Sequence, residues 1–364
     1  MQAYANPSQQ RQGAIQKYKE HGGKVAAVLP IHYPRALLRA FDILPVEVWG
    51  PPRVKKHSSA AHLQPYICSV AHNALSFLLS RGLEPVDIIL VPHTCDTLQG
   101  LGSLLLDFIQ PRQPVLTLYM PRKNDKDGMD FLAKEIEWLY LQLEKFTSCS
   151  PSQAQLMECI YREEAADRVL GELHAQRRYL DLWSLSFYQL VRSREYLPAE
   201  EFEAIAKAAL LVAQREPQQQ GTPILLSGIV PEPMTILQAI DQAGGYVGGD
   251  DLACCGRRVY SPGTSEEPFT RMAESLLYAP SDPTRGSPIQ QRYDLLLQQA
   301  RQTGARGILF YEVKFCEPEL FDLPSLRKKL LEAGIRSMVV EMDLNDSLSL
   351  QNLTRLEAFL ETIR

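Results

Sequence analysis

Residues 87–109 read DIILVPHTCDTLQGLGSLLLDFI, a short apolar run closed by a proline, then leucines at helical spacing. The run at 87–92 is short and rich in β-branched residues, as a strand covered on both faces should be, and the stretch at 96–109 repeats with helical period. Outward from it the same alternation recurs on both sides. Strands are predicted at 24–30, 46–49, 87–92 and 115–119, with helices at 35–41, 70–81, 96–109 and 128–146. The pattern returns as strands at 223–226, 246–248, 307–311 and 337–342, with helices at 234–243, 268–277, 289–303, 323–333 and 350–362. Strands that alternate with helices in this way predict parallel βαβ units.

Between the halves, residues 150–216 are strand-free and helical in period. Ser150-Pro151 and Leu197-Pro198-Ala199-Glu200-Glu201 read as helix starts, with proline and acids in the first turn. REPQQQGTP at 215–223 is a polar linker. The expected fold class is therefore α/β, with two doubly wound, flavodoxin- or Rossmann-like parallel-sheet lobes joined by a helical connector. The expected boundaries are an N-terminal arm at 1–21, a first lobe at 22–149, the connector at 150–216 and a second lobe at 217–364. Two four-strand halves also suggest a structural duplication.

Composition narrows the function. Of 364 residues, 38 are Lys or Arg and 43 Asp or Glu, so the net charge is −5 with no basic stripe, and no nucleic-acid partner is expected. No apolar stretch is long enough for a membrane span, and the start MQAYANPSQQRQG does not read as an export signal, so a cytoplasmic, reducing location is expected. Seven cysteines are too few for a disulfide scaffold. In a reducing compartment they are packed side chains, catalytic groups or metal ligands.

Position separates these cases. Cys95 follows the 87–92 strand, Cys316 follows 307–311, Cys254 and Cys255 follow the strand at 246–248, and Cys68 starts the 70–81 helix. All five map to strand carboxyl ends or helix amino ends, where open α/β sheets place their ligands. A helix amino end stabilises thiolate, and N–H···S bonds tune an iron–sulfur cluster. Zinc is the competing metal, through Cys68 with His72 and His93 with Cys95. Asp96 is expected to cap its helix rather than transfer protons, and Asp250 and Asp251, at a strand end beside Cys254, either orient a substrate or a ligand's surroundings or are simply solvated, as loop acids usually are. Arg257, Arg258, Arg122 and Lys123 are candidates for anionic phosphates. No GxxxxGK[ST], GxGxxG or GxSxG motif occurs, so any ATP hydrolysis must belong to another protein.

YICSVAHNALSFL, VPHTCDTLQGL, GGYVGGDDLACCGRR and VKFCEPEL, closing with TRLEAFLETI, occur in that order between about residues 24 and 363. This ordered set resembles the 2-hydroxyacyl-CoA dehydratase family, which also holds benzoyl-CoA reductase subunits and double-cubane cluster proteins. The resemblance implies a 4Fe–4S cluster on Cys68, Cys95 and Cys316, with one iron open and Cys254 or Cys255 as a possible fourth ligand. It implies an acyl-CoA substrate that takes up one electron to form a ketyl radical. The implied partners are a homologous second subunit, in a homo- or heterodimer, and a separate ATP-hydrolysing iron–sulfur activator. One departure is HYPRALLRAF at 32–41, where Ala36 stands in place of a family glutamate with an acid–base role. That leaves two other readings: a non-catalytic electron-transfer or scaffold subunit, or a double-cubane reductase of small molecules.

Overall fold

The computed structural model describes residues 7–51, 54 and 57–364. Its first four strands are β1 (Lys24–Val28), β2 (Ile43–Glu47), β3 (Ile88–His93) and β4 (Val115–Tyr119). They form one parallel sheet in the order β2-β1-β3-β4. The next four are β5 (Thr222–Gly228), β6 (Gly245–Leu252), β7 (Gly307–Val313) and β8 (Arg336–Met342). These form a second parallel sheet, β6-β5-β7-β8, with the same permutation. The duplication expected from the two halves is therefore present in the topology. It makes β3 and β7 counterparts.

Both sheets are covered on both faces. In the first, Val28, Leu90 and Leu118 pack on one side with Leu132 and Ile136, while Ala27, Val46 and Ile89 pack on the other with Ala71, Ala74 and Leu75. In the second, Leu226, Leu309 and Val340 face one cluster, and Leu225, Ile308 and Phe310 face another with Leu296 and Leu326. Alternate residues along each strand serve opposite faces, which is why the strand sequences are apolar throughout.

Three differences from the sequence expectation have physical causes. The second strand lies at Ile43–Glu47, not 46–49, because Pro45 is tolerated on an edge strand where no neighbour needs its N–H. The helix expected at 323–333 begins at Glu317 and runs to Glu332, through Pro324. Pro318 already opens its first turn, and the chain absorbs the loss of the Pro324 N–H. The expected arm contains a helix, Pro7–Glu20, whose Ile15 and Tyr18 pack under the first sheet; residues 1–6 of that arm lie outside the described residues.

The connecting region is helical: Gln153–Gln176, Ser184–Arg192 and Ala199–Leu211. The first opens on a reciprocal capping box between Ser152 and Gln155, two residues later than Ser150-Pro151 suggested. The last follows Pro198 as expected. Helix Pro268–Leu277, from the second half of the sequence, buries Met272, Ala273, Leu276 and Leu277 in the core of the first sheet. This crossing fastens the halves together. Among the described residues no helix is long and apolar enough to cross a membrane.

Candidate functional site

Each of three cysteines is the residue immediately before a helix. Cys68 precedes Ser69–Leu79, Cys95 precedes Asp96–Leu104 just beyond β3, and Cys316 precedes Glu317–Glu332 just beyond β7. Because β3 and β7 are counterparts, Cys95 and Cys316 occupy matching places in the two sheets. Phe315 adopts a left-handed φ of 63°, which turns the chain so that Cys316 can begin the next helix. Cys316 is fastened there by its own N–H, which donates to the Val313 carbonyl at 2.9 Å.

The three cysteines are within electrostatic reach: Cys68 acts on Cys95, and both act on Cys316. Burial pushes the Cys95 thiol up to about 12, against N–H bonds from Leu98 and Thr97, and a charge on Cys68 raises it further. Burial pushes Cys316 well above the usual thiol range, followed by Cys68, Glu319, Cys95 and Glu312. Burial and mutual repulsion therefore disfavour thiolates here unless a cationic group sits with them. Among the described residues no three His, Cys, Asp or Glu side chains converge as a single ion requires. Thiols at helix amino ends are donors of the kind that an iron–sulfur cluster takes, with helix N–H groups in support.

Of the two histidines of the zinc alternative, His72 is engaged elsewhere, while neither ring nitrogen of His93 has a hydrogen-bond partner among the described residues. His72 already engages Ser59 Oγ at 2.8 Å and the Gln64 carbonyl at 3.0 Å. His93 meets Tyr119 edge-on, with ring centres 4.5 Å apart, and packs so tightly on Gly102 that a Cβ there would lie 2.5 Å from Nε2. Cys254 and Cys255 lie together, Sγ to Sγ 3.3 Å, buried in the second lobe. Asp250 acts on Cys255 and Cys254 acts on Arg192, whereas the leading influences on Cys95 and Cys316 do not include this pair.

A cleft of about 290 Å³ opens beside Cys95, lined in part by Asp96, Arg122, Thr284, Glu317 and Phe321. It lies between the amino ends of the helices that follow Cys95 and Cys316. Asp96 stands in the first turn of its helix and pairs with Arg122 at 3.2 Å; the residue at the cap position is Cys95. Arg122 and Lys123 are accessible to an anion from solvent.

Two expectations fail here. Arg257 and Arg258 do not reach solvent phosphates; both are buried and ion-paired. Arg257 binds Glu319 at 2.6 Å and Asp251 and Asp282 at 3.4 Å, while Arg258 binds Glu47. Nor are Asp250 and Asp251 solvated. Asp250 accepts from the Tyr188 hydroxyl at 2.8 Å and from the N–H of Gly256 at 2.8 Å, and Asp251 sits between Arg257 and Arg292. These acids and bases read as surface groups because a sequence does not show which segments the two lobes cover; Asp250 and Asp251 lie within β6 itself.

The structure adds a buried ionic network behind Cys316 that has no counterpart in the sequence expectations. It joins Asp251, Asp282, Glu319, Arg257 and Arg292, and reaches His32 of the first lobe. A carboxylate only accepts, so His32 Nε2 donates to Asp282 at 3.1 Å and the Tyr260 hydroxyl donates to Nδ1 at 3.0 Å. Burial pushes Asp282 upward, but Arg257, His32 and Thr284 overcome this and hold it far below the usual carboxylate range. Glu312 shows the opposite balance: burial and then Glu319 push it well above the usual carboxylate range, with neither oxygen bonded among the described residues.

His32 gives the fold an acid sensitivity. Burial lowers it from 6.5 to about 4, against the hydrogen bond it makes to Asp282 and with Arg285 and Arg258 adding to the fall. Its folded value lies below its unfolded one, so the unfolded chain takes the proton first, and stability falls as pH falls through that window. The loss should reach about 3 kcal/mol. Melting temperature followed from neutral pH down to about 4 should drop steeply in wild type and less in His32→Gln; parallel curves would remove His32 as the cause.

Comparison with known proteins places this arrangement. The family model described as 2-hydroxyglutaryl-CoA dehydratase, D-component, matches residues 30–363. The chain is 26% identical to the lactoyl-CoA dehydratase subunit beta of Anaerotignum propionicum, over 99% of this chain and 96% of that one. It is 23% identical to the (R)-phenyllactyl-CoA dehydratase beta subunit of Clostridium sporogenes, over 96% and 94%. One of the benzoyl-CoA reductase subunits of Thauera aromatica is 24% identical, over 85% of this chain and 83% of its own length. With the model spanning nearly all of the sequence, the chain belongs to the 2-hydroxyglutaryl-CoA dehydratase D-component family.

Proposed function

We propose that this chain is the beta-type, iron–sulfur subunit of an acyl-CoA dehydratase or benzoyl-CoA-type reductase. It acts with a homologous second subunit and a separate ATP-hydrolysing activator. The observation that carries the reading is the set of Cys68, Cys95 and Cys316, each opening a helix, with Cys68 acting on Cys95 and both of them acting on Cys316. When bound, a 4Fe–4S cluster supplies a single low-potential electron to the thioester. The chain's own residues hold the cluster and shape its access. Backbone N–H groups of Thr97 and Leu98 bond Cys95, and Glu317 and Phe321 stand at the cleft. Arg122 and Lys123 are positioned to meet CoA phosphates.

The partner subunit follows from the beta-subunit names of two relatives. An electron-relaying role within the pair is favoured over substrate acid–base work by one feature. Ala36 is buried in the core of the first lobe, and the neighbouring carboxylates Glu47 and Glu163 are tied up by Arg35. Turnover should accordingly require all three proteins. Arg122→Ala with Lys123→Ala should raise KM for an acyl-CoA several-fold while leaving iron content unchanged. Turnover by this chain alone would overturn the two-subunit reading, and an unaltered KM would remove the phosphate contact.

A further inference from the structure

A second cavity, of about 470 Å³, lies away from the cysteines and shares no lining residue with the cleft beside Cys95. Its walls come from the Pro7–Glu20 helix, the β2 side of the first sheet, the stretch 77–86, the connector helix Ser184–Arg192 with the turn after it, and Glu232 and Met234 beyond β5. Ile15, Val46, Trp49, Phe77, Leu83 and Leu185 make most of the wall apolar. The volume falls in the range of cavities that enclose small organic ligands, and such sites pair apolar walls with a few placed polar groups.

The charged groups here are paired. Arg192 binds Glu195 at 2.6 Å and Glu232 at 2.5 Å, and Arg11 binds Glu195 at 2.5 Å. Two guanidiniums face Glu195 and Glu232, and the third carboxylate of the wall, Glu47, is paired with Arg35 and Arg258 behind it, so the wall is close to neutral. One donor is left over: the Arg11 Nε–H is buried and has no hydrogen-bond partner among the described residues. An unpaired buried donor is costly, and an acceptor oxygen on a bound molecule would satisfy it.

We infer that this cavity binds an acyl chain, with its aliphatic or aryl body against the apolar wall and its carbonyl or carboxylate oxygen accepting from Arg11. The chain belongs either to a free carboxylic acid or to the acyl end of a thioester. The site is independent of the iron reading, since no cysteine lines it.

Calorimetric titration of the purified chain tests this with three probes: octanoate, octanoyl-CoA and octylamine. Saturable binding of octanoate assigns the site to free acids. Binding of octanoyl-CoA alone assigns it to thioesters. Either result supports the inference if Ile15→Trp, which fills the cavity, abolishes the binding and Arg11→Met weakens it about tenfold. Thermal melting confirms that each variant is folded, and Leu185→Trp replaces Ile15→Trp if the latter is not. Octylamine offers only donors and should not bind. The inference is overturned if no acyl probe saturates, if the filled variant binds as wild type does, or if octylamine binds as well as octanoate.

Discussion

Replacing Cys316 by alanine should strip most of the iron from anaerobically purified protein, whereas Cys149→Ala should leave it unchanged. Cys316 opens a helix of the second lobe and interacts with Cys68 and Cys95 of the first. Cys149 is exposed at the end of helix Lys126–Thr147, with its thiol near the Thr147 carbonyl at 3.6 Å. Ligands drawn from separate segments turn metal affinity into folding free energy. The Cys316 variant should therefore also melt lower and lose contacts across the lobe junction. Those contacts include the paired amides of Asn73 and Asn345, at 2.9 and 3.1 Å, and the Leu344 N–H donating to Ser69 Oγ at 3.2 Å. Identical iron content and identical EPR signals in the two variants would sink the ligand assignment.

Arg257→Met should be the most destabilising single change outside the cysteines. Arg257 is fully buried and neutralises Glu319, Asp251 and Asp282. Removing it leaves those carboxylates facing Arg292 and His32 alone. Breaking a buried pair from one side costs about 3–5 kcal/mol, since the remaining charge stays desolvated. Arg122→Ala is the control, because its exposed pair with Asp96 should contribute about 0–1 kcal/mol. Denaturant midpoints measured on both variants decide the matter. Equal midpoints would mean that the network relaxes, for example by protonating Asp251, which burial already pushes upward.

Much of the fold is legible in the sequence because its strands are buried on both faces. Runs such as IILVPH and GILFYEV carry an apolar signal that solvent-facing strands would dilute. The edges are less legible. In β2, Pro45 interrupts the run and displaces the expected strand by three residues at its start. In the helix after Cys316, Pro324 imitates a helix start and hides the six residues that bring its amino end to the cysteine. The Pro7–Glu20 helix leaves little trace because its sequence, PSQQRQGAIQKYKE, is polar on most sides.

The site divides in the same way. Cysteines at strand and helix ends are visible in sequence, since position along an element is what sequence reports well. Pairing between distant charges is not. Asp282 meets His32 across 250 positions, and Arg258 meets Glu47 across 211. Nothing local marks such residues as buried, so Arg257 and Arg258 read as candidate phosphate ligands. The cavity under the Pro7–Glu20 helix is equally silent, because its walls come from segments scattered between residues 11 and 234.

The most direct test of the central claim is a metal and sulfide analysis of the full chain, purified without oxygen and followed by EPR after reduction. The expected result is iron and acid-labile sulfide in the proportion of one 4Fe–4S cluster per chain, with a reduced-cluster signal lost in Cys68→Ala, Cys95→Ala and Cys316→Ala alike. Stoichiometric zinc without sulfide, or a cluster that survives all three substitutions, would contradict it.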